Sequence, residues 1–177
     1  MIEHLPENLN KLNSILAPHF NDLIKANDKI KETLEEYADG KKLKGNEIVG
    51  WLGEIYGKLF LNGKLVSDKF EYDVVVGDEL ISIKARKGFN SGWNRTSSIS
   101  KIEGAGCPTH LMFLQFKDDY SLFRVWKFPW VHLQKTGRFK RKKVRGNDFE
   151  WYVIINERED ENYLKFQAHP EVLNKGK

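Results

Sequence analysis

A chain of 177 residues, 40% hydrophobic and 31% charged, is long enough to bury a core without cross-links and too apolar to be a disordered tail. The single cysteine, Cys107, excludes an internal disulfide, and one thiol with five scattered histidines excludes a clustered zinc site. The longest apolar runs, at 74–76 and 111–114, fall far short of the roughly 20 residues that a spanning helix needs, and Met1-Ile2-Glu3-His4 has neither a basic flank nor an apolar signal core, so no membrane association and a cytoplasmic location are expected; a net charge of +4 and a pI near 9.0 favour acidic partners only weakly.

Residues 1–40 read as helical, with Leu12, Ile15, Leu16, Phe20, Leu23, Ile24, Ile30 and Leu34 at helical intervals. Pro18 is expected to divide this segment into two helices, and Asp39-Gly40 to end the second. Residues 46–61 form a third helix with the apolar stripe Ile48, Leu52, Ile55, Leu59 and Phe60, closed by Asn62-Gly63 with a glycine in the left-handed cap.

Strand character follows. A short strand begins at Val66, a second covers 70–76, Gly77-Asp78 turns, and a third covers 80–86. Alternation along that third strand puts Leu80, Ser82, Lys84 and Arg86 on one face and Ile81, Ile83 and Ala85 on the other. Residues 88–108 are rich in Gly, Ser, Asn and Thr, with a short helix expected at 97–103. A strand pair at 110–116 and 121–128 ends at Pro129, and a final hairpin joins 151–156 to 163–168 around the acidic turn 157–161. The predicted fold class is α/β (α+β): a mixed β-sheet with flanking helices. The organisation is a helical N-terminal segment at 1–44, a core at 45–130, and a basic stretch with a C-terminal hairpin at 131–177, all in one domain.

Three features carry chemistry. The third helix holds Glu47 and Glu54, seven residues apart and therefore on nearly the same side. Asp73 stands at the start of Val74-Val75-Val76, and Ser82-Ile83-Lys84 lies on the next strand, so a tight turn brings Asp73 and Lys84 together. Each residue alone reads as readily as an ordinary surface charge or turn cap; their joint order is the signal.

Glu on a helix, Asp entering a strand, and an acid-x-Lys triplet on the paired strand resemble the PD-(D/E)xK nuclease superfamily. The residues concerned are Gly53-Glu54-Ile55-Tyr56-Gly57 and the run from Glu71-Tyr72-Asp73 to Ser82-Ile83-Lys84, within 46–128. The resemblance implies a restriction endonuclease-like core and a magnesium-dependent DNA endonuclease, with manganese as a substitute. Asp73, Lys84 and Glu54 would be catalytic, Asp73, Glu54 and Glu47 would surround the metal, and a homodimer acting on double-stranded DNA would be the working form. Hard cations take oxygen ligands, and a lysine beside the attacked phosphate offsets developing charge.

Ser82 departs from the pattern, because the family carries an acid there. Either another carboxylate, Glu54 or Glu47, has migrated into the site, or the chain is a non-cleaving relative, or it is a disabled variant. Nucleic-acid contacts are expected from Ser82, Arg86 and Lys87 and from Asn90, Trp93, Asn94 and Arg95 in the following loop. Residues 135–145 hold seven cations and no acid, which reads either as a solvated hairpin or as a phosphate-contacting arm through Arg138, Lys140, Arg141, Lys142 and Lys143. An RNA-binding protein that combines this stretch with stacking aromatics is a third reading. Trp126, Trp130 and Trp151 are assigned to packing, and His110, His132 and His169 to no role.

Overall fold

The computed structural model describes residues 7–43, 48–88, 92–118, 120, 122–143 and 149–167. Among these residues the fold is mixed α and β: a six-stranded mixed sheet, a separate two-stranded sheet and three α-helices. Helix α1 (Glu7–Glu35) runs without interruption through Pro18. Proline removes one backbone donor and crowds the preceding turn, yet the helix continues on both sides of it. Helix α2 (Ile48–Leu61) buries Trp51, Leu52, Gly53, Ile55 and Gly57. Among the described residues, no helix is long and apolar enough to cross a membrane.

Strands β1 (Lys64–Leu65), β2 (Val74–Val76) and β3 (Glu79–Lys87) pair antiparallel in sequence. β1 is shorter and earlier than the strand expected from Val66, and β2 omits 70–73, because Ser67 and Phe70 close a turn through their backbones. β4 (His110–Phe116) lies parallel to β3, and β5 (Leu122–Pro129) antiparallel to β4. Helix α3 (Trp130–Lys135) follows directly on Pro129. β6 (Phe139–Lys143) and β7 (Phe149–Val153) form the small sheet. A 3-10 turn (Glu161–Tyr163) leads into β8 (Leu164–Gln167), which pairs with β5. The expected C-terminal hairpin is therefore not formed: its two strands pair with β6 and β5 instead, each completing a different sheet edge.

The main sheet has two apolar faces. Ile81, Ile83, Met112, Leu114 and Val125 pack with α2 and the end of α1, around Leu34, Ala38, Trp51 and Ile55. Leu111, Phe113, Trp126 and Phe128 pack on the other side with α3 and the small sheet, through Trp130, Leu133, Phe139 and Val153. Parallel pairing of β3 with β4 requires the chain to cross between opposite ends of the sheet. The crossing segment makes no helix at 97–103. It lies as extended chain along β7, with backbone bridges from Arg95 to Ile154 and from Ile99 to Trp151.

Candidate active site at the open edge of strand β3

β2 pairs with β3 only from Val74–Ile81 to Val76–Glu79, so β3 continues beyond its partner. Asp73 lies one step past the last pair, opposite Ser82. Its backbone N–H donates to Ile81 O at 2.9 Å, and its Oδ2 accepts from the Ile83 N–H at 2.6 Å. The carboxylate thus replaces the missing strand as acceptor and sits beside the residue that precedes Lys84.

Glu54 approaches this edge from the helical face. Gly53, its neighbour in sequence, and Gly57, one turn on, bring α2 close to the sheet: a Cβ at Gly53 would lie 2.7 Å from Ala85 Cβ, and one at Gly57 would lie 2.7 Å from Ile83 Cδ1. Glu54 Oε2 accepts from Lys41 Nζ at 2.7 Å, and the same ammonium pairs with Asp68 Oδ1 at 2.9 Å. Burial pushes the Glu54 carboxyl above its ordinary value; Lys41 pulls it back, and the charges of Asp73 and Asp68 push it up again. Burial alone would lower the Lys41 ammonium, but its bonds to Glu54 and Asp68 carry it above its usual value.

Lys84 and Ser82 point to the opposite face. The alternation holds, since Ile81 and Ile83 belong to the helical core, and Ser82 is buried, at 3% exposure. On this face Glu150 of β7 is held below the usual carboxylate range by a Ser98 hydrogen bond, with the charges of Lys142 and Lys84 adding to it. Glu71 accepts from the Ser100 hydroxyl at 2.6 Å. Glu54 thus belongs to the helical face of β3 and Lys84 to the opposite face, with Asp73 at the strand edge opposite Ser82.

Magnesium is held by one or two carboxylates, the rest of its octahedron being water and phosphate oxygen. Asp73 and Glu54 fit that minimal set. A protein cage does not fit: among the described residues no three His, Cys, Asp or Glu side chains group closely enough to hold an ion. Ser82 brings no charge, and Glu47 lies outside the described residues.

The remaining expected contacts fall into two groups. Several serve the fold. Arg86 donates from Nε to Arg95 O at 3.1 Å and reaches Thr96 O, pinning the crossing segment. Trp93 is buried against Phe123, so its ring is not presented as a base-stacking platform. Asn94 accepts from Gln115 Nε2 at 3.2 Å. Arg138 makes two hydrogen bonds of 2.7 Å to the buried Asp160 carboxylate and a third to Ile154 O, which leaves it committed to the interior turn. Others face outward: Arg95 lies over the Tyr152 ring, and Arg141 lies 3.7 Å over Phe149 with Trp151 behind it. Lys140 and Lys143 are exposed on β6, Lys142 pairs at 3.5 Å with Glu150, and Lys87 caps Tyr120. Asn90 lies outside the described residues.

Lys41, Asp68, Glu71, Glu150 and Gln115 carry no pattern in the sequence, since each reaches the site or its supporting loop across a long separation. Gln115 is the clearest case: fully buried, it donates to Trp93 O at 2.9 Å and accepts from the Trp126 indole at 3.2 Å. The sequence matches no family model and no curated protein.

Proposed function

We propose that this chain is a divalent-metal-dependent DNA endonuclease with a restriction endonuclease-like core, hydrolysing phosphodiester bonds at the open edge of β3. The observation that carries the reading is a pair of carboxylates, Asp73 and Glu54, within electrostatic reach of each other beside the strand of Lys84. Magnesium, or manganese in its place, would be held by these two residues and would polarise a phosphate oxygen and acidify a water. Asp73 is fixed for that task by the Ile83 N–H. Lys84 offsets the negative charge that develops on the attacked phosphate. The exposed cations of β6, with Arg95 and Arg141 on their aromatic supports, supply backbone contacts to double-stranded DNA. A cytoplasmic location and a homodimer belong to the same reading.

A second reading is a DNA-binding relative that does not cleave. Two observations favour it: the neutral Ser82, and the Lys41 ammonium already bonded to Glu54. Supercoiled plasmid incubated with magnesium or manganese separates the two. Nicked or linear product that a chelator abolishes supports the nuclease. Uncut plasmid under both metals, with duplex DNA still retarded on a gel, supports the binding module. Competition by single-stranded RNA stronger than by duplex DNA would replace both with the RNA-binding reading.

A further inference from the structure

The turn that follows α1 is braced from several directions. Asp39 and Gly40 both take positive φ, at 53° and 80°. The Asp39 carboxylate accepts from Lys58 Nζ at 2.7 Å and from Leu65 N–H at 3.2 Å, and Leu43 N–H donates to Glu35 at 3.0 Å. This bracing delivers one side chain, Lys41, to the space between Glu54 and Asp68, where it is only 13% exposed. A surface lysine would lose little by pointing into water; this one is held by two carboxylates, one of them the helix acid of the site. Beside it opens a cavity of about 350 Å³ lined by Lys41, Lys42, Val66 and Asp68, wide enough to receive the ammonium if it leaves Glu54.

Resting on the metal-dependent reading above, we propose that Lys41 is a positioning residue that acts as the resident cation of the site, so that a divalent ion taken up by Glu54 and Asp73 displaces the Lys41 ammonium from Glu54 toward Asp68 and the adjoining cavity. One carboxylate oxygen then serves two cations in turn. Lys41 holds Glu54 oriented before the metal arrives, and it sets a threshold on metal affinity. Asp68 keeps hold of the ammonium once it has let go of Glu54.

The test is manganese binding to the full chain, read by the loss of the free-ion electron paramagnetic resonance signal. Lys41→Met should tighten binding by about tenfold or more, since removing a cation within ion-pair distance of a ligand oxygen is worth at least that factor. Lys41→Arg, which keeps the charge, should stay near the parent value. Adding Glu54→Gln to Lys41→Met should cancel the gain. A second measurement needs no variant at position 41. Acetylation of Lys41 by a soluble reagent, followed by mass spectrometry, should speed up several-fold when manganese saturates the parent protein, and not in Glu54→Gln. Binding that requires Asp73 but is indifferent to Lys41→Met, with unchanged acetylation, overturns the proposal and leaves the metal site standing. Absence of manganese binding in both the parent and Lys41→Met overturns the proposal and the metal-dependent reading together.

Discussion

Ser82 occupies a place that decides what a single substitution does. It is nearly fully buried, it lies opposite Asp73 in the strand register, and it faces Leu111 on β4. A carboxylate introduced there loses its hydration next to another negative charge, which is costly unless a cation compensates. Ser82→Glu should therefore lower stability by about 2–4 kcal/mol in chelator. Millimolar manganese should restore most of that stability, because the added oxygen completes a set suited to a hard cation. Thermal melts with and without manganese check this; a destabilisation that manganese does not touch would place Ser82 away from any metal. The alternation that puts Ser82 and Lys84 on one face is legible in the sequence, because strand period needs only local pattern. The pairing of Glu54 with Lys41 is not, since a lysine after a turn and a glutamate in the next helix carry no mutual signal at a separation of 13.

At the scale of elements, α2 meets β3 through glycine. Gly53 lies against Ala85, and any Cβ there would collide with a backbone-proximal methyl that has no rotamer to escape into. Gly53→Ala should cost about 1–3 kcal/mol by overpacking and should displace Glu54, its neighbour. Chemical denaturation measures the first effect, and a drop in manganese affinity the second. The helix itself is readable from its apolar stripe, but its cap differs from the expected one. Asn62, not the glycine, takes the positive φ, at 51°, while Gly63 is required because a Cβ there would lie 2.5 Å from Val74 Cγ1. The other end of the sheet is tied by charge. Glu79 on β3 pairs with Lys127 on β5 and lies 3.5 Å from His110 on β4, which also meets the Thr109 hydroxyl at 3.0 Å. His110, which the sequence leaves without a role, thus meets Glu79 across the sheet and Thr109 beside it. The Lys127 hydrogen bond holds the Glu79 carboxyl below its ordinary value of 4.5. A lowered carboxyl contributes stability above its unfolded pKa and loses it as pH falls through the folded one. The destabilisation caused by Glu79→Gln should accordingly be present at neutral pH and shrink as pH drops below about 4.5. Paired denaturation curves across that range check it, and an effect independent of pH would remove the charge from the explanation.

For the whole molecule, the two faces of one sheet divide the labour. The helical face supplies Glu54 through α2, and the other face carries Lys84 together with a small cationic sheet. The sequence displays the charges of 135–145 but not where they go, because β7, the hairpin partner of β6, meets the crossing segment only through bridges far apart along the chain, such as Ile99 with Trp151. Nor does it reveal that Arg138 is spent on Asp160. Neutralising Lys140, Arg141 and Lys143 to Gln should weaken duplex binding irrespective of base sequence. It should also lower the magnitude of the slope of log affinity against log salt by about 0.9 for each phosphate that is no longer neutralised. An unchanged slope from fluorescence anisotropy titrations would assign the stretch to solubility. Single-turnover cleavage of a labelled duplex by excess protein in manganese reads the chemistry proposed at the edge of β3. The parent chain should cut, and Lys84→Ala, still folded and still binding duplex, should be slower by about 10²–10³-fold, the usual effect of removing a group that stabilises transition-state charge. Equal cleavage rates for the parent and Lys84→Ala would contradict it.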